Sequence, residues 1–183
     1  AILPFTRLVG GPMDYTPGLF ENNISRYNPY SSAWVNTTLA SQLSLYVTMA
    51  SPLQMAADLP ETYERFMDAF QFIKDVALDW DRSVYLEAEP MEYVTVARKA
   101  KNSDNWFVGS TGGAEARKSR LDFSFLPQGR KYRATIYRDG KNAHYRTAPQ
   151  DYIIETRTVD SRTRLTLPVA AGGGYAISLT PVK

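Results

Sequence analysis

The side chains that most often carry enzyme chemistry are scarce in this chain. Among its 183 residues there is no cysteine and one histidine, His144. A disulfide framework, a thiolate metal site and a cysteine nucleophile are therefore excluded. A Ser-His-Asp triad would depend on His144 alone.

An acidic cluster, formed by Glu87, Glu89 and Glu92, surrounds Pro90. Spaced carboxylates can form the acid–base pair of a glycosidase or bind calcium. The surrounding pattern favours a simpler interpretation, a solvated loop between two strands at the edge of a domain. We therefore expect no catalytic residue and no metal ligand in this cluster.

Charge and hydropathy limit the classes of partner. The chain has 21 basic and 19 acidic residues, and 44% of its residues are apolar. The basic stretch Arg117–Arg120 has no nucleic-acid-binding motif beside it, so we expect no nucleic-acid partner. No apolar run approaches the about 18 residues of a membrane helix, so we expect no membrane span. The composition is that of a globular domain with a sizeable core.

Charge also divides the chain near Asp79–Arg82. Residues 1–80 carry four basic and eight acidic side chains, whereas the positive charge lies in residues 81–183. The second part is rich in short β-branched and aromatic segments separated by turn signals, which is typical of a β-sandwich of about 100 residues. The predicted strands are Val84–Ala88, Tyr93–Arg98, Asn105–Val108, Leu121–Leu126, Tyr132–Tyr137, Tyr152–Thr158, Arg164–Pro168 and Tyr175–Leu179.

The first part of the chain, residues 1–80, has a different sequence pattern. Ile2–Val9 is a continuous apolar run, as in a parallel strand buried on both faces, and residues 10–33 form a long loop. Three helical stretches follow, the first capped by Asn36 or Thr37 and reaching Ala50, then Leu53–Asp58 and Glu61–Asp75. One strand and a few helices cannot bury both of their faces. We infer that residues 1–80 end a larger α/β domain and that a β-sandwich follows.

Collinear motifs resemble glycoside hydrolase family 97 over nearly the whole chain. In the first part, the similarity to the end of the family's catalytic barrel rests on Ile2–Arg7, Gly11–Gly18, Ser51–Asp58, Phe70–Val76 and Asp79–Asp81. In the second part, the similarity to its C-terminal sandwich rests on Glu92–Lys99, Phe125–Pro127, Ile136–Gly140 and Gly172–Tyr175.

The resemblance implies an α+β arrangement with two parts. Residues 1–80 would be the last strand and helices of a (β/α)8 barrel, and residues 81–183 an all-β C-terminal sandwich. It further implies a periplasmic or secreted exo-acting α-glycosidase that hydrolyses terminal bonds of oligosaccharides. The family contains inverting α-glucosidases and retaining α-galactosidases, with calcium beside the active site.

The resemblance also implies what this segment lacks. In the family, the paired carboxylates and the calcium ligands lie upstream of the Pro-Phe-Thr-Arg motif, with which this chain begins. We therefore expect no catalytic residue and no bound calcium here, and no activity of the segment alone. Its partners would be the rest of the catalytic barrel and, through the full enzyme, the oligosaccharide substrate.

Three residues remain as candidates for substrate binding, namely Arg7, Asp14 and Tyr15. The loops that follow barrel strands form the active-site face, where Asp14 and Tyr15 could bond sugar hydroxyls. Alternatively, Asp14 caps a turn and Tyr15 packs beneath the loop. Arg7 could bind a carboxylate of the active site or form a structural ion pair.

Two other classes of function stay open from the sequence. A carbohydrate-binding module would stack sugars on exposed aromatics such as Trp80 and Trp106, although Trp80 also suits a wedge between the domains and Trp106 the sandwich core. A structural domain that docks on another chain would expose an apolar patch around Ile2–Val9 and Leu39–Met49.

Overall fold

A computed structural model describes residues 2–182 and contains three α-helices and eight strands. The helices are α1 (Leu39–Thr48), α2 (Pro60–Glu64) and α3 (Met67–Asp75). The strands are β1 (Trp80–Glu89), β2 (Tyr93–Ala100), β3 (Trp106–Thr111), β4 (Arg117–Asp122), β5 (Tyr132–Asp139), β6 (Tyr152–Val159), β7 (Arg164–Val169) and β8 (Gly174–Pro181).

The strands form two antiparallel sheets. The larger has the order β1-β2-β3-β8-β5-β6, and β4 pairs with β7 in the smaller. The smaller sheet covers one face of the larger, and α1 packs on the opposite face against β3 and β8. The predicted β-sandwich is therefore confirmed, with a helical layer added outside it.

Each face of the large sheet has its own hydrophobic core. Because successive side chains of a strand point to opposite faces, Trp106 and Val108 of β3 enter the core between the sheets, while Phe107 enters the core beneath the helices. Phe72 of α3 meets Phe107 edge-to-face at 6.2 Å. The helices and the sandwich therefore share a buried interface.

Helix α1 lies unusually close to the sheet. Gly109 of β3 makes this approach possible, because a Cβ at that position would lie 2.6 Å from the Ser44 carbonyl oxygen and 2.8 Å from Cβ of Val47. The side chains of Leu39, Leu43 and Val47 are fully buried there. The prediction of an exposed apolar patch over Leu39–Met49 is therefore wrong, because the sheet covers it.

The predicted strand Ile2–Val9 is also wrong. This segment forms two short 3-10 helices, Leu3–Phe5 and Arg7–Gly10. A strand must pair its backbone groups with a neighbour, and the described part of the chain places no strand beside this segment. Local bonds take over instead, such as Phe5 N–H to the Ile2 carbonyl at 3.0 Å.

Two helical predictions need correction. Leu53–Asp58 is irregular, because its backbone bonds a distant loop, with Ala57 N–H donating to the Pro17 carbonyl at 3.0 Å. Glu61–Asp75 is not one helix but the pair α2 and α3, since Phe66 leaves helical geometry at φ −136° and ψ 41°. Its ring packs edge-on against Phe20, with centroids 6.0 Å apart.

Candidate functional site

Helix α1 holds the long loop over residues 11–37 through buried polar groups. The Gln42 Oε1 atom accepts hydrogen bonds from the backbone N–H groups of Gly18 at 2.9 Å and Leu19 at 3.1 Å. Gly18 has a φ of 91° and lies against the Tyr46 hydroxyl, so only glycine fits without strain. The loop is therefore fixed by side chains rather than by a β ladder.

A second anchor fixes the middle of the same loop. One Asp58 oxygen, Oδ2, accepts from Phe20 N–H at 2.7 Å and from Glu21 N–H at 2.8 Å. The Tyr27 hydroxyl bonds the other Asp58 oxygen. Tyr63 donates its hydroxyl to the Gly18 carbonyl at 2.7 Å. Together these bonds give the loop a defined path across the end of α1.

The loop borders a cavity of about 590 Å³ between the N-terminal segment, α1 and the end of the sandwich. Its walls are largely apolar, and Tyr15, Gln42, Thr111 and Tyr145 are among the residues that line it. Burial raises the pKa of the Tyr15 phenol, which therefore stays neutral and can exchange hydrogen bonds with a hydroxyl group. The cavity has the size and mixed lining of a small-molecule site.

The three predicted substrate-binding residues are not brought together. Tyr15 lines the cavity, while Arg7 and Asp14 lie on exposed backbone outside its lining. The Arg7 guanidinium donates to the carbonyl of Gly11 at 3.3 Å, within its own loop. Of the three predicted residues, Tyr15 is thus the one that lines this cavity.

The acidic cluster has a structural use that its sequence does not indicate. Glu87 lies inside β1 rather than in a loop, and its carboxylate reaches across to the small sheet. It accepts from Arg117 Nη2 at 2.6 Å, from Ser119 Oγ at 2.5 Å and from Arg120 N–H at 2.9 Å. Glu89 is exposed. Glu87 therefore joins the two sheets.

The polar contacts continue into the sandwich. Ser119 Oγ lies 2.8 Å from the Tyr175 hydroxyl, and Thr95 Oγ1 lies 2.8 Å from Ser110 Oγ. All four side chains are buried, so each needs such a partner. Sequence reasoning missed this network, although polar residues at inward positions of predicted strands are its signal.

Asp139, at the end of β5, is a buried carboxylate. Its Oδ1 accepts from the Thr38 hydroxyl at 2.7 Å, and its Oδ2 accepts from the N–H groups of Ala170 at 2.8 Å and Gly174 at 2.9 Å. Thr38 is the N-cap of α1. Asp139 therefore ties the helix to the sandwich.

The tryptophans do not form a sugar-binding platform. Trp106 is buried between the sheets, and Trp80 packs edge-on against Phe107 with centroids 5.9 Å apart. The Trp34 Nε1–H group donates to the Tyr145 carbonyl at 2.9 Å, while Arg146 covers its ring. The interpretation of Trp106 as a core residue is confirmed.

Over residues 2–182, no group of three or more histidine, cysteine, aspartate or glutamate side chains is arranged to hold a metal ion. The described residues therefore do not fit the calcium site that the family resemblance implies. None of the helices in that range is both long and apolar enough to cross a membrane.

The second part of the chain matches a known family. Residues 79–180 match the family model described as glycosyl-hydrolase 97 C-terminal, oligomerisation, and this span exceeds half of the chain. The chain belongs to glycoside hydrolase family 97. The resemblance found in its motifs is therefore confirmed.

Curated relatives in the family extend the match to the first part. The chain is 37% identical over 180 residues to a retaining α-galactosidase of Bacteroides thetaiotaomicron, covering 97% of this chain and 26% of the relative. It is 32% identical over 174 residues to a probable retaining α-galactosidase of Streptomyces bingchenggensis, covering 95% and 24%. The chain thus spans about a quarter of the length of these relatives.

Solved structures agree with the fold. A family 97 enzyme from Pseudoalteromonas sp. strain K8, in complex with acarbose, superposes with a TM-score of 0.93 at 40% identity and covers 100% of this chain and 28% of its own. A β-arabinopyranosidase superposes with a TM-score of 0.77 at 23% identity, covering 97% and 26%, which shows a shared fold.

Proposed function

We propose that this chain is the C-terminal part of a family 97 α-glycosidase that hydrolyses terminal α-galactosides or α-glucosides. The supporting observation is the 37% identity to a retaining α-galactosidase over 97% of the chain. The paired carboxylates of the reaction would lie in the part of the protein outside this sequence. In this proposal the segment alone is inactive.

The proposal gives the two parts of the chain different tasks. Residues 1–80 would pack against the (β/α)8 barrel as its last part, and the sandwich would brace the barrel from outside. The exposed apolar side chains Ile2, Val9 and Leu53 support a covered first part, because exposed apolar patches often mark contact surfaces. The shared core beneath α1 and α3 would transmit this support to the sandwich.

Tyr15 would contribute to the rim of the active site. Its neutral phenol borders the cavity and suits a sugar hydroxyl. Asp14 precedes it on an exposed loop and could accept a second hydroxyl bond. Arg7 would turn from its own loop carbonyl toward a carboxylate of the barrel.

Activity assays test the proposal directly. The full polypeptide that contains this chain should hydrolyse an aryl α-galactoside or an aryl α-glucoside, and the purified 183-residue segment should hydrolyse neither. A Tyr15→Phe variant of the full polypeptide should raise KM about two- to tenfold, since one neutral hydrogen bond contributes about 0.5–1.5 kcal/mol. Tyr30→Phe, which alters a fully exposed phenol, is the matched control. Turnover by the segment that an Asp14→Asn change abolished would overturn the proposal.

The proposal also assigns the calcium site and the cellular location of the enzyme. We place the calcium ion in the catalytic part of the protein and the enzyme in the periplasm or outside the cell. A chelator should then lower the activity of the full polypeptide and leave the melting temperature of the 183-residue segment unchanged. A chelator-induced shift in the segment would place a metal site within this chain and contradict the assignment.

A further inference from the structure

The outer edge of β6 can pair with a second copy of itself. Strand β6 ends the large sheet, so one row of its backbone N–H and C=O groups has no neighbouring strand among the described residues. Its pairing with β5 runs without a register shift from Tyr152 to Val159. A regular, open edge of this kind is a template for strand addition.

The hydrogen-bonding pattern fixes which residues face outward. Gly140 N–H donates to the Asp151 carbonyl at 2.9 Å, so the odd-numbered residues of β6 bond β5. The backbone groups of Tyr152, Ile154, Thr156 and Thr158 therefore point to the free edge. Thr156, in the middle of this row, has an exposed side chain.

We propose that two copies of this chain associate through antiparallel β6–β6 pairing, with the two-fold axis at Thr156. Thr156 of one copy then faces Thr156 of the other, and Ile154 faces Thr158. The Ile154–Thr158 pair occurs twice by symmetry, so there are three directly bonded pairs. They form about six backbone hydrogen bonds, two for each pair. The two large sheets become one continuous sheet.

This register is self-complementary in charge, and it covers an exposed apolar side chain. It places Glu155 of one copy opposite Arg157 of the other, and Ile153 opposite Val159, each twice by symmetry. These are the non-hydrogen-bonded positions, where opposite side chains are closest. Ile153 is 38% exposed in the isolated chain and would be covered. Arg157 already contacts Glu155 of its own copy at 2.9 Å, which orients both groups.

The other open edges fit self-pairing less well. Strand β1 has register shifts after Trp80 and after Tyr85, which interrupt its edge. Strand β4 presents Lys118 and Arg120, which would repel their copies, and β7 contains Pro168, which cannot donate a hydrogen bond. The family description of this region as an oligomerisation region supports a second copy as the partner.

Disulfide trapping tests the register on a chain that has no native cysteine. In the proposed dimer, Thr156→Cys places the two Cα atoms about 5.5 Å apart, within the range for a disulfide. Thr158→Cys is the matched control on the same edge, because its two copies would be about 13 Å apart. We expect the Thr156→Cys protein to form a covalent dimer on mild oxidation at least tenfold faster than the Thr158→Cys protein.

Sedimentation equilibrium tests the association without cross-linking. Thr156→Pro removes an outward donor but no bond to β5, and we expect it to raise the dimer dissociation constant about tenfold or more. Arg157→Glu should do the same, whereas Arg82→Glu on the opposite edge strand should not; circular dichroism confirms that each variant is folded. A monomeric wild-type chain, equal cross-linking of the two cysteine variants, or a dimer insensitive to both substitutions would overturn the proposal. These outcomes are independent of the glycosidase assay.

Discussion

The N-terminal segment over residues 2–37 and the sandwich over residues 80–181 differ in what fixes their backbones. In the sandwich, every strand pairs with a neighbour, and apolar side chains from both sheets meet in one core. In the segment, isolated 3-10 turns and side-chain acceptors such as Gln42 and Asp58 hold the chain. Val9 and Tyr30 are 77% and 99% exposed there.

This difference shows which part of the molecule is stable by itself. The sandwich pairs each strand with a neighbour and buries its central apolar side chains within the chain. The N-terminal segment is held by single side-chain bonds and leaves apolar side chains such as Val9 in water, so we expect its structure to depend on whatever lies beside it. In the proposed enzyme that neighbour is the catalytic barrel. The predictions below test this contrast.

The largest expected effect is a cavity in the sandwich core. Ile177→Ala removes a fully buried side chain from the central strand β8 and should lower the free energy of unfolding by about 2–5 kcal/mol. Val9→Ala, in the exposed segment, should change it by less than about 0.5 kcal/mol. Urea denaturation of the 183-residue chain measures both changes in the free energy of unfolding. Similar losses for the two variants would remove the contrast.

A smaller effect is expected where the helix meets the sheet. Gly109→Ala forces a Cβ toward the Ser44 carbonyl and should cost about 1–3 kcal/mol through overpacking. Gly10→Ala is the matched control, because its Cβ would meet no heavy atom within 4 Å. Thermal melts of both variants make the comparison. Tolerance of Gly109→Ala would show that α1 can shift away from β3.

The strands could be predicted because their signals are local. Alternation in Tyr93–Arg98 and Tyr132–Tyr137 places one face of each strand in a core, and the observed strands contain both segments. Within the sandwich, the exception is the predicted strand Leu121–Leu126, since β4 ends at Asp122. Phe123 and Phe125 are buried although they lie in a turn, which is closed by a hydrogen bond from Leu126 N–H to the Phe123 carbonyl at 2.9 Å. A run of apolar residues is therefore not sufficient to predict a strand.

The polar contacts could not be predicted, because their partners are distant in sequence. Glu87 contacts Arg117 across 30 residues, and Asp139 contacts Thr38 across 101. No local pattern reports such a pair. Tyr15 was predicted from its place after an expected barrel strand. That strand required neighbours that a local pattern cannot supply, although Tyr15 does line the cavity.

A loss no larger than that at Gly109 is expected at the link between α1 and the sandwich. Asp139→Asn replaces an acceptor of three hydrogen bonds by an amide with one acceptor oxygen, and should cost about 1–3 kcal/mol. Asp104→Asn, which removes an exposed pair with Arg130, should cost less than about 1 kcal/mol. Urea denaturation at neutral pH measures both.

The pH dependence of this loss sharpens the test. Burial raises the pKa of Asp139 above its ordinary value of 3.8, while the bonds from Thr38, Ala170 and Gly174 oppose the rise. Just above pH 3.8, the folded state then holds more protons than the unfolded state, so the contribution of Asp139 to stability falls as the pH rises through its folded pKa. The asparagine does not titrate. The stability advantage of the wild type over Asp139→Asn should therefore be largest below pH 3.8 and should shrink as the pH is raised. An advantage that grew with pH would mean that the hydrogen bonds to the carboxylate outweigh the effect of its burial.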